Sequence, residues 1–524
     1  MMRNFLFPKN SVFSKKSAAL AATMIMSLFF AQSAFAALFR FIDYGEADKG
    51  PFNRHNWEYS LDDGASWGNA ENDNFRFPGQ AAGTTDDLII ASNLLINNLT
   101  YSMSAGTVTI NPGISFSITV DGSGTSGEMV SFDKIINNGT LSISASGGFS
   151  VAGDVENNGT ITQNGFFNIG GDFTNQTTAT LSGSGSINLD GDFTDNGTVS
   201  GTVKLSLNGA GSTFTPQAGT TYSNIEVNGS VNIADELSVA AITNNGTISG
   251  TGGVTVTGSF TDNGNWTSTG KILISGTGTK SITVNPSTTY PEIEVAAGAG
   301  KPTFSNDLNV TTLNVLAASA FADNVNGSAL NIQGASTFAK NVTAATLDVQ
   351  ASSTFSGAVT ATTIDIQAGS TFSGNVNAGT LDVQAASTFT GTVDAGDITT
   401  SGTGTTTFGD KVTATGDITT AGPGTVKFNG DVEVTGIIST AGTTTFAGSV
   451  DATGNVTTSG ITTFSGQVDA SGDITTSGTT SFSGAVTVAG DLTTSDATTF
   501  AASSTLEVTG TITTNDTTTF SGAV

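Results

Sequence analysis

Four aspartates, Asp397, Asp417, Asp473 and Asp491, each follow a glycine at the same point of a recurring string, with Ile437 and Asn455 at the two intervening repeats. Carboxylates set side by side repel, so such a series calls for water or a divalent cation between its members. The glycine- and aspartate-rich nonapeptide of calcium-binding solenoids does not occur, and the series is read as solvated turns. Acid–base chemistry would need carboxylates converging with a lysine, arginine or histidine. Lys340, Lys411 and Lys427 stand apart, and the single histidine, His55, precedes the repeats. The pairs Asp62-Asp63 and Asp86-Asp87 read as turn and strand-entry residues. No catalytic, cofactor-binding or metal-binding residue is therefore assigned, no cofactor is expected, and the chain is expected not to be an enzyme.

Two further arrays bear on binding. Thr337, Thr354, Thr371, Thr388, Thr407, Thr445, Thr463, Ser481, Thr499 and Thr519 each immediately precede a phenylalanine. If the phenylalanines point inward, strand alternation turns these hydroxyls outward. A flat threonine ladder could bind ice or a regular polymer, although the β-propensity of threonine accounts for it without a ligand. Trp57, Tyr59 and Trp67 could form a sugar-stacking platform; a cover for an exposed strand edge is the simpler reading.

The elements that carry these arrays follow from the phenylalanine spacing. Phe304, Phe321, Phe338, Phe355, Phe372 and Phe389 are seventeen apart, and Phe408, Phe428, Phe446, Phe464, Phe482, Phe500 and Phe520 continue with steps of eighteen to twenty. Counted from Phe372, apolar residues fall at Val376, Leu381 and Val383, and the same offsets hold for the neighbouring repeats. Period-two alternation, as in TLDVQ, makes each piece a short half-buried strand, and glycine-rich breaks turn the chain. A repeat this short cannot bury its own apolar side and must stack on its neighbours. The fold class expected is all-β, a parallel β-helix (β-solenoid), right-handed, with coils of 17–20 residues and three strands and turns in the later consensus. A left-handed helix would show an apolar residue every six, which Phe446, Val450 and Val456 do not. About 24 coils fit between Asp86 and Val524 at one strand spacing per coil.

Upstream the pattern loosens. IINNGTLSI, VENNGTITQ, FTDNGTVSG and ITNNGTISG share an apolar–turn–apolar pattern about Asn-Gly, and TTYSNIEV returns as TTYPEIEV. The organisation read is a signal peptide over 1–36, an aromatic capping segment over 37–84, irregular β-helix repeats over 85–300 and regular repeats over 301–524. Arg3, Lys9, Lys15 and Lys16, the apolar run to Phe30 and the Ala34-Phe35-Ala36 site define the signal, whose apolar core is too short to be a membrane span. All 43 acidic residues follow Ala36 while 16 basic residues are shared across the whole chain, so nucleic acid is an unsuited partner. No cysteine is present, which removes disulfides and thiol chemistry together.

The signal peptide, NWEYSLDDGASW, FPGQAAGTTDDLII and repeats such as STFTPQAGTTYSNIEVNG together resemble bacterial β-strand-repeat surface proteins, the filamentous-haemagglutinin-like adhesins and autotransporter passengers. The resemblance implies outer-membrane export, a β-helical stalk and an adhesive role toward a host-cell, matrix or polysaccharide surface. The expected location is secreted or cell-surface. A secreted polysaccharide-acting lyase or glycosidase and a self-stacking filament protein like the bactofilins are the alternatives. The last string, FSGAV, also begins coils at Phe355 and Phe482, so a longer parent chain is expected, with a C-terminal translocator or anchor beyond it and self-association possible at open solenoid ends.

Overall fold

The computed structural model describes residues 38–41, 57–60, 68–69, 87–96, 103–119 and 130–524. The signal segment, His55, Asp62, Asp63, Trp67 and Asp86 lie outside them. The described chain is all-β, a parallel β-solenoid of about 23 turns. It forms two compact units, one ending at Ser186 and the other beginning at Ile187.

In the first unit, Gly148–Val151 pairs in parallel with Phe166–Ile169, Val155–Asn157 with Phe173–Asn175, and Thr160–Gln163 with both Thr140–Ile143 and Thr180–Gly183. Inward and outward residues alternate along these strands, as a half-buried strand requires, with Asn157, Gln163 and Asn175 taking the inward place at the strand ends. At the beginning the pattern differs. Leu38–Phe41 lies parallel to Asp87–Ile90 but antiparallel to Trp57–Ser60, which in turn pairs antiparallel with Gly68–Asn69. The segment that holds Trp57 and Tyr59 thus adds an antiparallel ribbon beside the first parallel strand.

In the second unit the seventeen-residue interval is the length of one coil. Phe321 pairs with Phe338, Phe338 with Phe355, Phe355 with Phe372 and Phe372 with Phe389 in parallel register. Their rings stack at 4.7, 4.7, 4.6 and 5.0 Å with interplanar angles of 3 to 11°. The stack runs unbroken from Phe304 to Phe520. Strand spacing fixes that separation. It exceeds the roughly 3.5 to 4 Å of carbon–carbon contact, so near-parallel rings must slide into an offset arrangement, the favoured one for aromatic quadrupoles. Each buried Phe contributes about 1.5–3 kcal/mol by area and about 0.5–1.5 kcal/mol more from stacking.

Coil length is set at the corners. In the seventeen-residue coils Val342–Val349 is one eight-residue strand, and its burial alternation breaks where Ala345 and Thr346 both face out between inward Ala344 and Leu347. A third corner residue divides this strand in two: Thr415, Gly416 and Asp417 separate Val412–Ala414 from Ile418–Thr420. The other extra residues fall in the turn before the phenylalanine, as between Thr420 and Phe428, or after it, as between Phe500 and Leu506. Variation in period therefore leaves the inward columns in register.

Two of those columns are polar. Ser336, Ser353 and Ser370 are inward two residues before each Phe. Each hydroxyl donates to a carbonyl two residues back and accepts the N–H of the serine one coil before, so both capacities are met. From Thr400 onward, threonine also replaces the inward Val349, Ile366 and Val383. Thr420, Thr440, Thr458 and Thr476 lie 2.9–3.2 Å from the hydroxyls of Thr444, Thr462, Thr480 and Thr498. Thr480 donates to the Gly478 carbonyl, so the shared proton comes from Thr458. Register places Thr400 on Thr420 and Val426 on Thr444. Valine thus stands where Thr400 would find its partner, and the Thr400 hydroxyl is buried without one.

Two outcomes are expected. Phe372→Ala lowers local stability by about 3–5 kcal/mol, whereas its exposed neighbour Thr371→Ala costs under about 1 kcal/mol; hydrogen exchange of the flanking strands measures both, and equal losses would contradict the opposite facing. Val426→Thr stays within about 1 kcal/mol of the parent because it meets Thr400, whereas Val432→Thr, a buried hydroxyl among apolar neighbours, loses about 1–3 kcal/mol. Equal losses in those two variants would show that no partner awaits at Thr400.

Candidate functional site

The aspartates after each corner glycine do not face one another across empty water. Asp397 Oδ1 accepts the backbone N–H of Asp417 at 2.9 Å, and Asp417 Oδ1 accepts that of Ile437 at 2.9 Å. Asn455 takes the N–H of Asp473, Asp473 that of Asp491, and Asp491 that of Thr511. Each carboxylate or carboxamide caps the corner one coil ahead, where the chain leaves the ladder and its amide would otherwise lack an acceptor. Ile437, whose side chain has no acceptor, receives no amide from the coil after it, and that side chain is partly exposed. Asp87 does the same for Thr107, in keeping with its strand-entry reading, and Asp431 for Ser449. The Ser449 hydroxyl and N–H together hold the Asp431 carboxyl below its ordinary range.

The threonines before the phenylalanines occupy one outward column. Thr337, Thr354, Thr371, Thr388 and Thr407 pair in register, as do Thr445, Thr463, Ser481, Thr499 and Thr519. Lys427 stands in the same column, paired with both Thr407 and Thr445. Lys411 forms an ion pair with Glu433 at 2.6 Å, and Lys340 is exposed in a turn. These lysines meet none of the corner aspartates. Among the described residues no group of three or more His, Cys, Asp or Glu side chains is placed to hold a metal ion.

Two arrangements were missed in the sequence. Asp348, Asp365 and Asp382 stack directly in consecutive coils. Gln367 donates to both Asp365 and Asp348, and Gln384 to both Asp382 and Asp365, so each carboxamide bridges two like charges. Asp382 ends the ladder, and one of its carboxylate oxygens has no hydrogen-bond partner. The D-x-Q spacing in LDVQ and IDIQ was the available signal, since residues two apart on a strand share a face.

The second is internal. The first asparagine of each Asn-Asn-Gly string points into the coil: Asn137 Nδ2 donates to Asn157 Oδ1 at 2.7 Å, and Asn157 Nδ2 to Asn175 Oδ1 at 2.8 Å. In the second unit Asn244 Nδ2 donates to Asp262 Oδ1 at 2.8 Å. The other Asp262 oxygen accepts the Tyr290 hydroxyl at 2.5 Å, and Tyr222 donates to Asp195 in the same way at 2.6 Å. Each tyrosine oxygen also accepts a backbone N–H, from Asn285 or Gln217. The returning TTYSNIEV and TTYPEIEV strings are therefore the donors to two buried aspartates. Burial, then the adjacent carboxylate, pushes both phenols far above their ordinary range.

Trp57 and Tyr59 sit on the antiparallel strand already described, paired with Phe41 and Phe39. Comparison with family models, with curated proteins and with solved structures finds no match.

The buried phenols give a pH expectation. Because their folded pKa lies above the unfolded value of about 10, their share of stability is complete below about pH 10 and is lost as pH rises beyond it. Tyrosinate absorbance should show two of the five tyrosines ionising only as the strands unfold. Ionisation of all five near pH 10 with circular dichroism unchanged would contradict the buried Tyr–Asp pairs.

Proposed function

We propose that this chain is a non-enzymatic, secreted or cell-surface structural protein whose β-solenoid serves as a stalk or adhesive fibre, in the manner of the filamentous-haemagglutinin-like adhesins and autotransporter passengers it resembles. The observation that carries the reading is the equivalence of outward positions from coil to coil. Thr337, Thr354, Thr371 and Thr388 present the same exposed hydroxyl at the same place in successive coils. The carboxylates most regularly placed to do chemistry are committed instead to holding the next coil, at Asp397, Asp417, Asp473 and Asp491. A surface built this way offers many weak identical contacts, so affinity for a cell, matrix or polysaccharide surface grows through avidity. Export rests on the signal peptide read over 1–36.

A truncation series that removes whole coils from the C-terminal side tests the reading. Retention on a cell or polysaccharide surface should fall gradually with each coil removed. Loss in one step at a particular coil would reveal a discrete site, and cleavage of acidic or neutral polysaccharide by the purified chain would overturn the non-enzymatic assignment.

A further inference from the structure

Asn-Gly steps are the most labile in a polypeptide toward deamidation, because the glycine amide nitrogen can reach the asparagine side-chain carbonyl carbon unhindered. This chain carries many of them. We propose that Asn429 is its site of spontaneous self-modification, and that the inward asparagine and aspartate positions shield the Asn-Asn-Gly and Asp-Asn-Gly steps from the same reaction.

The reaction is an internal substitution followed by hydrolysis. The Gly430 nitrogen bonds to Asn429 Cγ, the Cγ–Nδ2 bond breaks, and ammonia departs with the proton from Gly430. Water then opens the cyclic imide at one of its two carbonyls, leaving aspartate or β-linked isoaspartate. The net change is amide plus water to carboxyl plus ammonia, with no oxidant or reductant.

At the protected steps the glycine N–H is held, and at four of the five the asparagine carboxamide is held as well. Asn137 Oδ1 accepts the Gly139 N–H, and Asn157, Asp195, Asn244 and Asp262 do the same for Gly159, Gly197, Gly246 and Gly264. The nucleophile of each step is thus bound from inside the coil. From outside, carboxamides link Asn158 to Asn138 and Asn263 to Asn245. Other Asn-Gly steps have at least the carboxamide engaged: Asn164 by Ser184, Asn228 with Asn208, and Asn326 with Asn309.

Asn429 differs on both counts. It is exposed in the turn after Phe428, and its only hydrogen bond is from its own backbone N–H to the Phe408 carbonyl. Its carboxamide and the Gly430 N–H have no partner among the described residues. Glycine is also enforced there, since a side chain at 430 would meet the Asp410 carbonyl carbon at 2.4 Å. The packing that requires glycine therefore keeps the least hindered nucleophile beside an unrestrained amide.

Incubating the full chain in mildly alkaline buffer and mapping its peptides by mass spectrometry tests the proposal. Conversion of amide to carboxyl should be roughly tenfold or more faster at Asn429 than at Asn138 or Asn245, whose reaction must wait for local opening. Asn244→Ala, which removes the acceptor for Gly246, should raise the rate at Asn245 toward that at Asn429. Ile242→Ala loosens the same buried strand while keeping the Asn244 acceptor for Gly246 and should leave Asn245 slow, which separates shielding from general loosening of the coil. Equal rates at Asn429 and Asn245 in the parent chain, or equal acceleration at Asn245 by both variants, would overturn the proposal.

Discussion

Parallel strands repeat at about 4.8 Å, and in a solenoid that spacing places every side chain on its counterpart from the coil before. The constraint is severe because it admits only groups that tolerate their own kind. Phenylalanine does so by offset stacking, which is why one ring column can run from Phe304 to Phe520 at almost constant separation. Valine, leucine and isoleucine do so by simple burial. Corner lengths vary around these columns without disturbing them, since an extra residue at Gly416 or after Phe500 is taken up outside the core.

Polar groups meet the same constraint by chemistry. A carboxamide has donor and acceptor together, so Asn137 and Asn157 chain directly, and a hydroxyl can give to one neighbour and receive from another, as Thr480 does. A carboxylate has acceptors alone and cannot follow itself. The chain resolves this in three ways: a backbone amide from the next coil at Asp397, a bridging glutamine at Asp365, and a tyrosine hydroxyl at Asp262. At each of these positions the carboxylate accompanies a donor.

The columns at Phe372, Val376, Leu381 and Val383 were legible because large apolar residues in fixed register have one explanation, and the outward facing of Thr371 follows by alternation. The inward Ser370 and Thr420 were not, because small hydroxyl residues read equally well as surface. Asn137 was hidden for a related reason. Asn-Asn-Gly looks like a turn signal, and only the position of the strand end decides that its first asparagine turns inward while its second faces out. The corner aspartates were located correctly by period, but their role depends on an amide one coil away, which no local string displays. Ring-to-ring contact was implied by the spacing; the bridging of Asp348 and Asp365 by Gln367 needed three residues from two coils in view.

The central claim is that one coil equals one phenylalanine interval and one strand spacing. Magnetic resonance on the chain with ring-labelled phenylalanine, assigned by single Phe→Leu replacements, addresses it directly. Phe372 should show ring-to-ring contacts with Phe355 and Phe389 and with no other phenylalanine, at separations near the 4.6 and 5.0 Å found here. Contacts from Phe372 that skip a repeat, or no contact with either neighbour, would contradict the account.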